Sequence, residues 1–160
     1  MIIRDIELVK AIKNIKKFAS KDVTRDYLRK VIYNDKDFVA TNGKVLAVYN
    51  QQDINIDIKG IHDVYVLDDT HIFINDNDHD YTFPKYKKVF SKKIDDGIYY
   101  CHGDKKEIPR LLVKLGLPID LSFFNILPKK IVYEVHKTKQ GAVEFDGDNY
   151  KILVMPIQEE

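Results

Sequence analysis

"VATNGKVLAVYN", residues 39–50, is the stretch on which the fold turns. Two runs rich in β-branched and apolar residues flank Thr41-Asn42-Gly43-Lys44, and Asn-Gly is the dipeptide that best tolerates the positive φ values of a tight reversal. The pattern predicts a β-hairpin with strands over 38–41 and 45–49. Before it, "YLRKVIY" at 27–33 alternates with period two and predicts a strand. After it, short strands are expected at 54–58, 64–67 and 71–74. Further upstream the period changes. Leu8, Ile12, Ile15 and Ala19 make one apolar stripe, which predicts an amphipathic helix over 6–19 with Lys10, Lys13 and Lys17 on the opposite face. Asp5 is placed to cap its start.

Beyond 74, the polar run "NDNDHD" at 75–80 leads into "YTFPKYKKVF" at 81–90, where Pro84 excludes a central sheet ladder. The order then restarts, with a strand predicted at 98–101, a helix over 104–115, and strands at 130–136, 142–146 and 150–156. In that second helix Ile108, Leu111, Leu112 and Leu115 form the apolar stripe, while Lys106, Arg110 and Lys114 recur every four residues on the other side. Pro109 falls in an early turn, where it costs least, and Gly116 is placed to end the helix. The reading is of the α+β class: a single domain over residues 1–160, built from two similar halves, each with a helix packed on an antiparallel sheet. The first half covers about 1–80, a connector about 81–93, and the second half about 94–160.

A chain of 160 residues is long enough for a proper core, and 44% hydrophobic residues with 10 Tyr and 8 Phe make a globular composition. Lys and Arg total 26 against 25 Asp and Glu, so attraction to nucleic acid must come from the arrangement of charge and not from the net charge of +1. The single cysteine, Cys101, has no partner for an intrachain disulfide, no leader pattern opens the sequence, and no apolar run reaches membrane-spanning length. A cytoplasmic protein is expected, with no membrane partner.

Four segments in order carry a resemblance. "TRDYLRKVIY" (24–33), "VATNGKVLA" (39–47), "FPKYKKVF" (83–90) and "YKILVMPI" (150–157) resemble the Thr-Arg-spacer-Leu segment, the Ala-Thr-Asp-Gly-His-Arg-Leu-Ala hairpin, the Phe-Pro-Asp-Tyr connector and the Met-Pro-Met ending of the bacterial DNA polymerase III beta subunit, the sliding clamp. The resemblance implies a processivity-clamp fold in a reduced, single-domain version, since clamps of that family have three such domains per chain. There are departures. Asn42 stands for the hairpin aspartate, Lys44 and Val45 stand for its His-Arg, and residues 51–80 read as strands and turns where the family has a helix.

By that resemblance the lysine faces, Lys10, Lys13, Lys17, Lys106, Arg110 and Lys114, would contact duplex DNA. Flexible cations on phosphates give attraction without sequence specificity. Thr41, Gly43, Val45 and Leu46, with Leu153, Met155, Pro156 and Ile157, would form an apolar pocket for peptides of DNA polymerase or clamp-loader-type proteins. A homo-oligomer joined head to tail would encircle DNA. The alternative is a monomeric clamp-derived module that captures or sequesters replication partners. No enzyme, catalytic residue, cofactor or metal is expected. From Asp76, a calcium loop would need glycine at Tyr81 and glutamate at Lys87, and neighbours such as Cys101 and His102 in a strand point to opposite faces. A metal-dependent enzyme using His71, Asp76, Asp78, His79 and Asp80 is the remaining, weaker possibility.

Overall fold

The computed structural model describes residues 1–75, 83, 85–88, 100–116, 126–137 and 142–155, in two compact units, Met1–Pro84 and Lys85–Glu160. The first unit begins with β1 (Ile2–Arg4) and α1 (Ile6–Lys16), followed by β2 (Val31–Asn34), β3 (Asp37–Thr41), β4 (Val45–Asn50), β5 (His62–Val66) and β6 (His71–Ile74). Its strands lie in the order β1-β6-β5-β2-β3-β4, and the paired neighbours are antiparallel. As expected, Asp5 caps α1, its carboxylate accepting from the Leu8 N–H at 3.0 Å. The helix buries Leu8, Val9, Ala11, Ile12 and Ile15 against the sheet, whose buried residues on one face include Val31, Phe38, Ala40, Ala47, Ile72 and Ile74.

The second unit repeats the order with β7 (Tyr100–Gly103), α2 (Ile108–Leu115), β8 (Tyr133–Lys137), β9 (Val143–Gly147) and β10 (Tyr150–Val154), in an antiparallel sheet ordered β7-β8-β9-β10. Ile108 and Leu112 of α2 are buried, as are Val135, Val143, Phe145 and Ile152. Tyr133 is fully enclosed, meets Phe145 edge-on, and donates its hydroxyl to the Pro128 carbonyl at 2.9 Å. Burial holds that phenol far above its ordinary range. Gly116 ends α2 at φ +63°, as expected.

Each unit is therefore strand, helix, three strands. The first differs in that the β5–β6 hairpin is inserted between its opening strand and β2.

Three sequence expectations are corrected. Residues 27–33 do not form one strand: a 3-10 turn over Asp26–Leu28 precedes β2, helped by Asp26, which pairs with Lys30 at 3.4 Å and Arg29 at 4.0 Å in helical i,i+4 and i,i+3 spacing. Residues 54–58 are not a strand. Ile54, Ile56 and Ile58 do alternate as half-buried against exposed neighbours, but no strand pairs with them, so the period reports a two-sided extended segment without a ladder. The helix predicted to 19 ends at Lys16. β1, three residues long, carries too short a pattern to be found by periodicity.

The opening hairpin is present, with Thr41 paired to Leu46 across a four-residue connection. Only Gly43 has a positive φ, at +89°. Asn42 instead acts through its side chain, whose Oδ1 accepts the N–H groups of Lys44 and Val45, both at 2.8 Å. The turns with two positive-φ residues are elsewhere, at Asp35-Lys36 and Asp148-Asn149.

Candidate nucleic-acid and peptide interface

α1 is held by both ends. The Asp5 N–H donates to the Thr70 carbonyl at 2.9 Å, and Lys13 Nζ reaches Asp69 at 2.6 Å, both in the β5–β6 turn. That turn is organised by Asp68, whose carboxylate takes the N–H groups of Thr70 and His71 at 2.7 Å. The Thr70 N–H, with the His71 ring and the Thr70 hydroxyl, holds the Asp68 carboxyl well below the usual carboxylate range.

The predicted cations of the first unit are all exposed. Lys10 is paired with Glu7 at 3.3 Å and Lys13 with Asp69, whereas Lys17, just beyond the last turn, makes no ion pair among the described residues. Such exposed pairs are worth at most about 1 kcal/mol, so they yield readily to a phosphate. Lys16, exposed on the same last turn, falls outside the stripe defined by Lys10, Lys13 and Lys17. In the second unit Arg110 and Lys114 are exposed on α2. Lys106 is exposed too but lies in the preceding turn, where Asp104 accepts the N–H groups of Lys106 and Glu107 at 2.9 and 3.0 Å.

The residues expected to line a peptide pocket divide differently. In the first unit Thr41, Val45 and Leu46 are buried and Gly43 is exposed. The Thr41 hydroxyl is committed to the turn, donating to the Val45 carbonyl at 2.7 Å and accepting the Gly43 N–H at 3.1 Å. Arg25, which no spacing marks, brings its guanidinium to 4.0 Å from where a Gly43 side chain would begin. In the second unit Leu153 is buried and Met155 is 46% exposed; Pro156 and Ile157 lie outside the described residues.

Of the acidic-histidine stretch, Asp76, Asp78, His79 and Asp80 lie outside the described residues, and the His71 ring is taken up by Asp68 at 3.0 Å and Thr70 at 2.7 Å. Cys101 and His102 are consecutive residues of β7, and their side chains lie outside the described residues. Among the described residues no helix is long and apolar enough to cross a membrane.

A helix backed by an antiparallel sheet, given twice in the order strand, helix, three strands, with basic residues on the outer face of each helix, defines the processivity-clamp fold. Solved bacterial clamps share it. The DNA polymerase III beta subunit of Thermotoga maritima matches with a TM-score of 0.70 at 13% identity, covering 100% of this chain and 65% of that one. The Borrelia burgdorferi beta subunit matches at 0.64 and 12%, covering 100% and 64%, and the Helicobacter pylori beta clamp, solved with a DNA ligase peptide, at 0.62 and 14%, covering 99% and 65%. No family model and no curated protein sequence matches the chain. At these identities the likeness is one of fold, and the chain spans 64–65% of the length of these three clamps.

Proposed function

We propose that this protein is a non-enzymatic, sliding-clamp-like scaffold in DNA replication or repair, which associates head to tail around duplex DNA and binds partner peptides. The observation that carries the reading is the clamp fold running through the whole chain with cations exposed on the outer face of both helices. Lys10, Lys13, Lys17, Lys106, Arg110 and Lys114 are lysines and one arginine on turns and helix faces, free to follow phosphates without reading bases. Head-to-tail joining is supported by β1. It is an end strand of its sheet, and Ile2 is 64% exposed beside exposed Met1 and Ile6, an edge that a second copy would cover. For partner peptides, of the polymerase or clamp-loader kind, the second unit offers the exposed Met155, whose unbranched thioether adapts to varied side chains.

A second reading is a monomeric module that captures replication partners without encircling DNA. Light scattering separates the two: association that rises with concentration supports the ring, and a monomer at every concentration refutes it. The ring reading also requires retention on a nicked circular duplex that is lost when the circle is cut. Equal retention on both forms overturns encirclement. Met155→Asp should abolish capture of a clamp-binding peptide while the circular dichroism spectrum is unchanged; unaltered affinity removes Met155 from the site.

A further inference from the structure

One face of the β8–β9 pair carries the apolar residues Val135, Val143 and Phe145, and the other carries a polar group that the clamp reading does not use. His136 lies opposite Glu144 in the register, and Glu134 opposite Asp146, so all four side chains share that second face. His136 and Glu144 are each 3% exposed. One donor atom from each of His136, Glu144 and Asp146 lies within 4.8 Å of the other two. His136 Nε2 is 3.5 Å from Asp146 Oδ2 and 4.0 Å from Glu134 Oε2, and Asp146 Oδ1 is buried with no hydrogen bond.

We propose that His136, Glu144 and Asp146 form a binding site for a divalent transition-metal ion of the zinc type, with Glu134 or a water in the fourth position. The donor set is one imidazole nitrogen and two carboxylates. That suits zinc or cobalt, whereas calcium and magnesium prefer oxygen alone. In a tetrahedral site with bonds of about 2.0–2.1 Å, adjacent donors stand about 3.4 Å apart. The 3.5 Å between His136 and Asp146 already has this spacing, and the Glu144 donor lies within 4.8 Å of both. Charge points the same way. Glu134, Glu144 and Asp146 bring three carboxylates to one face, where the register also places Lys151 of β10 opposite Asp146 and His102 of β7 opposite Glu134. The partly open Glu134 and Asp146 side chains, at 46% and 25%, leave a way in for the ion. Spacing along the chain gives no hint of this site, because its ligands come from two strands and meet only through the antiparallel register.

The test uses the full chain after dialysis against a chelator, titrated with Co²⁺ alone and then with Zn²⁺ in competition. Saturation at one Co²⁺ per chain is expected, with a visible absorption band of four- or five-coordinate N/O ligation that Zn²⁺ removes. Zn²⁺ should also raise the melting temperature and slow amide exchange in β8 and β9 of the wild type. Glu144→Gln keeps the shape of the side chain and should weaken binding at least tenfold, and Asp146→Asn likewise. His136→Ala should abolish the band. If that variant does not fold, the exchange measurement on the wild type and the two carboxamide variants decide. No saturable band, or equal affinity in the wild type and Glu144→Gln, overturns the site.

Discussion

Replacing Lys30 by methionine tests how the first unit is held at the centre of its sheet. Asp63 of β5 is 1% exposed, and its carboxylate is met by the Lys30 ammonium at 3.2 Å and the Tyr65 hydroxyl at 3.3 Å. β2 and β5 are neighbours, with Val31 paired to Val64, so the ion pair joins two adjoining strands. Removing one partner of a buried pair costs about 3–5 kcal/mol, because the remaining charge keeps its desolvation cost and loses its counter-charge. The Lys30 side chain is 29% exposed and Tyr65 still donates in the variant, so a loss of about 2–3 kcal/mol is expected. For a chain of this size that corresponds to a fall of about 5–10 °C in melting temperature. Urea unfolding followed by circular dichroism gives the free energy, and the double variant Lys30→Met with Asp63→Asn should recover most of the loss, since it removes both charges. The pH dependence has a definite sign. Burial, the largest influence, pushes the Lys30 ammonium down, but the hydrogen bond and charge of Asp63 outweigh it, and the group sits above its ordinary 10.5. A raised value contributes stability that is complete below the unfolded pKa and is lost as pH rises through the folded one. The variant's deficit should therefore be constant from neutral pH to about 10 and shrink above it. A loss under about 0.5 kcal/mol at pH 7, the size of an ordinary surface change, would refute the reasoning.

The hairpin turn gives a second expectation: Asn42→Ala removes the acceptor of two N–H groups and should cost about 1–2 kcal/mol in urea unfolding, whereas Asn42→Asp, which keeps the acceptor, should stay within about 0.5 kcal/mol. Lys36 is held at φ +70°, so Lys36→Gly should raise the melting temperature by a few degrees, about 0.5–1 kcal/mol, with no change in the circular dichroism spectrum. A Cβ on Gly147 would come within 2.7 Å of the Val132 carbonyl and 2.8 Å of Ile131, so Gly147→Ala should lower stability by about 1–3 kcal/mol. For DNA, Lys17→Glu combined with Lys114→Glu should reduce the slope of log affinity against log salt by about 0.9 for each phosphate the variant no longer neutralises; an unchanged slope takes both residues out of the interface.

The hydrophobic periods of 3.6 and 2 make α1, α2 and most strands legible, because each element buries one face against its own unit. Leu8, Ile12 and Ile15 all lie where their spacing places them. What periodicity does not encode is a partner: Ile54, Ile56 and Ile58 alternate as a strand does and pair with none, while β1 has too few residues to show any period and pairs with β6. The Asn-Gly signal locates the hairpin but not its mechanism, since the asparagine works as a side-chain acceptor and not as a positive-φ residue. That also gives Asn42 a physical meaning beside the aspartate of the resembled hairpin, because either side chain offers the oxygen the turn requires. The basic faces are readable from spacing alone, apart from Lys106, which precedes its helix because Asp104 spends three residues forming a turn before α2 begins. The polar face of β8 and β9 is not legible at all, for its residues are gathered by register across strands.

The β5–β6 hairpin, lying in the sheet between β1 and β2, bears on the order of events expected during folding. Ile3 finds its place only beside Ile72, so the opening strand must wait for nearly the whole of its unit to be made before it has anything to pair with. Helix α1 and the β2–β3–β4 meander are local and close quickly, while the pairing of β1 closes a long loop and comes late. In refolding from denaturant, amide protection of β1 should therefore appear after that of α1 and of β2, β3 and β4.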